Sequence, residues 1–594
     1  MKLSTITLDE LTLEQKVGQL FTFYHLQPYF SDFAEKAVRD WHVGGLFLDM
    51  ESLIDPAQVR EMTDAMQRAA RETESGIPLF IAADFVAGAG CKLRDGGAVH
   101  FPKNKAVGAA GDASLAYESG RITALESLEL GVNFNYSPVV DINNNPLNPV
   151  IGTHSFGEDA ALVTEMSRAV IRGMQEHGMI ATAKHFPGHG DTRVDSHHDL
   201  PVLAFGRERL ESFELAPFRG AIEAGVEAVM VGHIAVPAFD PSGMPASLSQ
   251  AMTTGILREE LGFGGLIVTD GLSMKGVTSR FSQAEACVLA LKAGADVLLA
   301  HALTAEEGRE MVDRVLSAVR GGEIGQARID EAAARVLKLK EKYIGAAAGE
   351  GNAPGEPAAL LHPDSERVSL AIARKALRDH GGFGRLLGSA AGTAEPVRGT
   401  RPNQSPMTLG ASGPLGGPPQ GDASQGERPG ELPGAQSGAS GASVRGRRGS
   451  VREGAGEDRR LFADSPWVLL CDVQLGLFAD ELAKTGAVRQ VETLASCREL
   501  PEKLRAFEHG RTHAVLVALT HNKPLRPEDL APLQAAAEQA GMTVGLVHFG
   551  SGYDLEHLSG IPALLLYDKA PSLQIAAAEF ILAQLEKERS INHV

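Results

Sequence analysis

Cysteine is scarce. The 594 residues hold four, Cys91, Cys287, Cys471 and Cys497, widely separated and in no CxxC pair. That spacing suggests neither a disulfide framework nor a structural zinc site, and ordinary buried thiols are expected. No apolar run is long enough to cross a bilayer, so a membrane partner is not expected. The opening stretch MKLSTITLDELTLEQKVGQL lacks an apolar h-region and a small-residue cleavage site, which makes a cytoplasmic location the expectation. Positive charge is in deficit: the formal net charge is -19, with acidic residues spread along the chain, so nucleic acid is not an expected partner either. Between Ala391 and Arg460 there is no Phe, Trp, Tyr or Ile. Such a segment cannot bury enough apolar surface to offset its ordering entropy, and a disordered low-complexity insertion is expected over 391–460. Its RGRRGSVREG portion reads as solvated linker in preference to a basic recognition tract.

Short apolar runs are abundant. VGQLFTF, GGLFL, PLFIAAD, VNFNYSP, MIATAKH, EAVMVGH, GLIVTDG and ADVLLAH are mostly separated by amphipathic, helix-like stretches. Eight strand–helix repeats are what a closed parallel barrel requires, and the predicted fold over 1–345 is a (β/α)8 barrel. An open doubly wound sheet would be expected to show a Gly-rich phosphate turn after its first strand, and none follows VGQLFTF. In TAEEGREMVDRVLSAV, Thr304 and Glu307 form a possible capping box, and Met311, Val315 and Val319 fall on one face. After the insertion, WVLLCDV, HAVLVAL, MTVGLVHFG and PALLLYD alternate with helical stretches. They predict a smaller α/β sandwich over 461–594, with 346–390 as connection and first helix, SERVSLAIARKAL. A chain of this length is expected to hold more than one core.

In a parallel barrel the reactive groups lie at the C-terminal ends of strands. Asp84 closes PLFIAAD, Lys184 and His185 close MIATAKH, His233 closes EAVMVGH and Asp270 closes GLIVTDG. The stretch KHFPGHGDTRVDSHHDLP packs four histidines and three aspartates into a loop whose Pro and Gly forbid a regular helix. A metal site, an acid/base device and a plain polar loop are the competing readings of that density.

That motif resembles the signature of glycoside hydrolase family 3, in its β-N-acetylglucosaminidase branch. NYSPVVDINNNPLNPVIGTHSFGED, PASLSQAMTTGILREELGFGGLIVTDGLSMKGV and AGADVLLAH also resemble family segments, in the expected order, so that the likeness covers most of residues 10–345. The resemblance implies Asp270 as a nucleophile forming a covalent glycosyl-enzyme, His197 as general acid/base and Asp195 as its partner. It implies sugar contacts from Asp84, Lys184 and His185, and leaves His189 and Asp191 to order the loop. Two departures fall at sugar-contacting arginines: Lys92, in DFVAGAGCK, and His154, in IGTHSF. Neither side chain carries the bidentate guanidinium fork.

The implied activity is exo-acting, retaining hydrolysis of terminal GlcNAc from cell-wall or chitin-derived oligosaccharides, without a cofactor or metal; oligomeric state is left open. Phosphorolysis on the same scaffold is the nearest alternative, because a neutral histidine repels an incoming phosphate less than a carboxylate does. A metal-dependent barrel hydrolase has the right ligand types, but the chain has no HExxH helix and its first strand has no His-x-His ending. A non-catalytic sugar-binding protein is disfavoured by the intact Asp270, Asp195 and His197.

Overall fold

The computed structural model describes residues 7–345, 361–389, 467–488, 490–495, 499–500, 502–504, 514–520, 527–538, 543–550 and 561–592. The insertion expected over 391–460 lies outside them.

Eight strands, β1 Phe21–His25, β2 Gly45–Leu48, β3 Phe80–Ala83, β4 Phe134–Asn135, β5 Ile180–Phe186, β6 Ala228–Val231, β7 Leu266–Thr269 and β8 Leu298–Ala300, pair in parallel in the order β7-β6-β5-β4-β3-β2-β1-β8. The ring closes between β7 and β8, where Asp296 N donates to Ile267 O (2.8 Å) and Thr269 N to Val297 O (3.0 Å). Each of the eight apolar runs supplies one strand. β2, β3, β6 and β7 are buried throughout, as strands covered on both faces by their neighbours' side chains and by helices must be. The first run starts later than its apolar residues suggest. Thr12 and Gln15 cap each other's backbone amides, 3.0 and 3.2 Å, and the helix they begin carries Val17 and Gly18 before β1 opens at Phe21.

A column of aromatic rings fills the barrel from floor to mouth. Phe80 meets Phe134 (5.2 Å), Phe134 meets Tyr136 (5.1 Å), Tyr136 stacks on Phe47 (5.4 Å), and Phe47 meets Tyr24 (4.8 Å). Below it the Lys340 amine lies 4.9 Å from the Phe80 ring and donates to Gln19 Oε1 (2.7 Å). Beside β8, the fully buried Asp296 accepts from Arg258 (2.6 Å), Arg328 (2.6 Å) and Arg335 (3.0 Å). Around the barrel, the helix Ala305–Arg320 buries Met311, Val315 and Val319 as the sequence predicts. Its Thr304 cap accepts from Glu307 N (3.2 Å), while the Glu307 carboxylate accepts from Leu303 N (2.8 Å) instead of closing the box on Thr304.

The second sheet has the order β11-β10-β12-β13-β14-β9, with β9 Arg378–His380, β10 Trp467–Asp472, β11 Gln490–Leu494, β12 Ala514–Thr520, β13 Thr543–Phe549 and β14 Ala563–Leu565. All pairs are parallel except β14 with β9. The four apolar runs read after the insertion are β10, β12, β13 and β14. The edge strands β9 and β11 escape the sequence reading because they are largely exposed and carry no apolar run. The helix Ser365–Ala376 buries Val368 and Ile372 in the core around the barrel and Ala373 and Ala376 in that of the second sheet. Glu126 holds its start, accepting from His362 N (3.1 Å) and Ser365 Oγ (2.6 Å).

Candidate active site

In the closed ring β3 and β7 stand four strands apart, so Asp84 and Asp270 enter the barrel mouth from opposite sides. Both line a cavity of about 160 Å³ with Lys184, His185 and His197, over an apolar wall that includes Tyr24, Phe47, Tyr136 and Leu299. The aromatic column thus ends as the cavity's floor and side.

Asp270 follows the last residue of β7. Its backbone amide donates to Val231 O (3.0 Å), and its Oδ1 accepts from Gly271 N (2.8 Å). Burial pushes the carboxyl up, but His185, His233, the Gly271 amide and Lys184 outweigh it, and Asp270 is held below the ordinary carboxylate range. Across the mouth the Lys184 amine donates to Asp84 Oδ1 at 2.6 Å. Burial raises the Asp84 pKa too, and the ammonium groups of Lys184 and Lys92 more than reverse it.

The histidine-rich loop is anchored at its start and open further along. His189 is buried, with Nδ1 at 2.7 Å from Thr192 Oγ1 and Nε2 at 3.1 Å from Ser196 Oγ; burial lowers its pKa, leaving a neutral ring that orders the loop. Asp191 Oδ2 accepts from Asn144 Nδ2 (2.7 Å), and Ser196 O accepts from Gly276 N (3.0 Å), tying the loop to the segment after β7. Asp195 Oδ1 accepts from both the amide (2.9 Å) and the Nδ1 (2.7 Å) of His197. The burial that would raise the Asp195 pKa is overcome by those two donors. The His197 side chain is 61% exposed, against 17% for Asp195.

Asp84, Lys184, His185, His197 and Asp270 therefore meet at one cavity, with Asp195 behind His197. Lys92 and His154 stand outside its lining. Burial, then the ammonium of Lys103, push His154 down to about 3, so a neutral ring occupies the position where the resemblance implies an arginine. His233 also departs from expectation. It is fully buried, bridging Ser247 Oγ (2.7 Å) and Gly271 O (2.9 Å), and holds the backbone beside Asp270 instead of facing the mouth.

Three contributors were not singled out in the sequence. Asp141, after β4, accepts from the amides of His185 (3.1 Å) and His189 (2.7 Å) and from His185 Nδ1 (2.9 Å). Tyr24 places its hydroxyl where a side chain on Gly271 would collide with it, an ideal Cβ there lying 2.9 Å from Oη. Ser196 couples His189 to the segment after β7. Asp141 ends the apolar run YSPVVD as other strand-end carboxylates do, which is the one sequence signal available for it. Among the described residues no group of three or more His, Cys, Asp or Glu is arranged to hold a metal ion, and no helix is long and apolar enough to cross a membrane.

Comparison with known proteins agrees with this architecture. A β-N-acetylglucosaminidase of glycoside hydrolase family 3 from Paenibacillus sp. str. FPU-7 superposes with a TM-score of 0.77 at 30% identity, covering 97% of both chains. The curated β-hexosaminidase A of Pseudoalteromonas piscicida is 32% identical over 359 residues, 57% of this chain and 59% of the relative. A β-N-acetylglucosaminidase/β-glucosidase from Cellulomonas fimi is 32% identical over 384 residues, 62% of this chain and 65% of the relative. The chain thus covers less than two thirds of the length of these two curated relatives. Residues 12–339 match the model of the glycosyl hydrolase family 3 N-terminal domain, and the chain belongs to that family.

Proposed function

We propose that the chain is an exo-acting, retaining β-N-acetylglucosaminidase that releases terminal GlcNAc from cell-wall or chitin-derived oligosaccharides. The observation that carries this reading is that Asp270 and the Asp195-backed His197 face one small cavity. About 160 Å³ suits a terminal sugar better than a run of polymer. With Asp84 and Lys184 holding hydroxyls at the far side, the anomeric carbon is turned toward Asp270. The Asp270 carboxylate attacks that carbon as the His197 imidazolium protonates the departing oxygen, giving a covalent glycosyl-enzyme. His197, now neutral, removes a proton from water as the water displaces Asp270. Asp195, accepting from Nδ1, orients the ring and leaves Nε2 for the bond being broken.

A slow N-acetylglucosaminyl donor fluorinated on the ring tests this directly: mass spectrometry should find the adduct on Asp270. An adduct on Asp195 would reverse the roles, and turnover with no adduct under any condition would remove the covalent step. Product analysis on p-nitrophenyl N-acetyl-β-glucosaminide, beside the matching glucoside, identifies the sugar. The same reaction run with phosphate separates free GlcNAc from GlcNAc 1-phosphate and so decides the acceptor.

A further inference from the structure

The site holds two carboxylate–imidazole pairs of opposite character. Asp195–His197 sits on the open loop, whereas in Asp141–His185 the side-chain exposures are 0% and 18%. We propose that Asp141 is a positioning residue of the reaction, acting through His185 by fixing which ring nitrogen carries its hydrogen beside Asp270. The inference rests on the glycosidase reading above.

A buried carboxylate can only accept hydrogen bonds. Asp141 Oδ1 is occupied by the amides of His185 and His189, and Oδ2 faces His185 Nδ1 at 2.9 Å, so that nitrogen carries the hydrogen. Nε2 is left for the cavity that His185 lines with Lys184 and Asp270, and it has no hydrogen-bond partner among the described residues. When the ring is neutral, Nε2 therefore offers a lone pair to a sugar hydroxyl. The other tautomer would offer a hydrogen at the same place, inverting the polarity of that contact.

Asp141→Asn tests the idea with almost no change of shape. Two backbone N–H groups require an oxygen at the Oδ1 position, which turns the new amide's NH2 toward His185 Nδ1. That nitrogen must then accept, and the hydrogen moves to Nε2. With any aryl β-glycoside that the wild type cleaves, kcat/KM should fall by about 100-fold or more, in keeping with the large loss a wrong tautomer causes. Thermal stability should change little. In a His185→Ala background the same substitution should change kcat/KM by less than about threefold, because a residue acting through another loses its effect when that other is gone.

Equal losses in the two backgrounds, or near wild-type activity of Asp141→Asn, would overturn the proposal. Should Asp141→Asn fail to accumulate as folded protein, the cycle is run with Asp141→Glu, which keeps the charge and displaces the oxygens; the same non-additivity is expected, and additivity again refutes it. Choice of the wrong sugar would show in the wild type alone, and so is distinguishable from failure of the cycle.

Discussion

Replacing His197 with Ala should separate substrates by their need for a proton. A natural disaccharide leaves as an alkoxide unless it is protonated, and loss of a general acid costs about 100-fold to 10,000-fold, or about 3–5 kcal/mol of transition-state stabilisation. A p-nitrophenyl leaving group needs little help, so glycosyl-enzyme formation from it should fall far less. Its breakdown still needs a base, and the intermediate should accumulate until azide, which needs none, restores turnover.

The partner carboxylate should matter much less, and the structure says why. Asp195 Oδ1 is 2.7 Å from His197 Nδ1, but the imidazole is 61% exposed and water can take the carboxylate's place. Exposed ion pairs contribute about 0.2–1 kcal/mol, so Asp195→Asn should slow the disaccharide by about fivefold or less. Stopped-flow release of p-nitrophenol, with steady-state rates on both substrates, reads each step. Equal losses on the two substrates without azide rescue would refute the acid/base assignment. A hundredfold loss in Asp195→Asn would refute the argument that this pair is open to water when the proton moves.

Three further outcomes are expected. Asp270→Ala should abolish turnover while leaving the melting temperature within a few degrees, checked by calorimetry beside the activity assay. Because Asp270 is held below the ordinary carboxylate range, it stays ionised as the pH falls through that range; the rate at which an activated glycosyl fluoride labels it should not decline above about pH 4, and a midpoint above pH 5 would contradict the electrostatics. Asp296→Asn removes the buried carboxylate that three partly buried arginines share, Arg328 and Arg335 keeping Glu331, and should cost about 1–3 kcal/mol and roughly 2–10 °C in Tm; kcat should be unchanged, since the cluster sits at the barrel end away from the mouth.

Where the reading from sequence succeeded, the information was local. All eight barrel strands are apolar runs, and the loop's dense Lys, His and Asp residues stand out without a structure. What escaped was long-range. Asp141 meets His185 across 44 residues, Asp296 meets its arginines across 32 to 39, and Lys340 finds Gln19 across 321. No spacing announces such partners. The late start of β1 reflects a different difficulty, since a short apolar run serves a buried helix as well as a strand and only the Thr12–Gln15 cap decides between them. His233 ends a strand as Asp270 does, but a strand-end histidine can turn to the mouth or bury itself under the next loop, and its neighbours Ser247 and Gly271 settle that only in three dimensions.

The helix Ser365–Ala376 gives Val368 and Ile372 to one core and Ala373 and Ala376 to the other. Neither core can melt without stripping one flank of that helix, and a twelve-residue helix has little stability of its own. Heat should therefore dismantle barrel and second sheet together, as a single calorimetric peak. Polar replacements at Val368 and Ile372 would uncouple the two units and split that peak into two. A ribosome making this chain would have to deliver the helix before the barrel's exposed flank is covered, so that the first unit waits, incompletely sealed, for the second to be made.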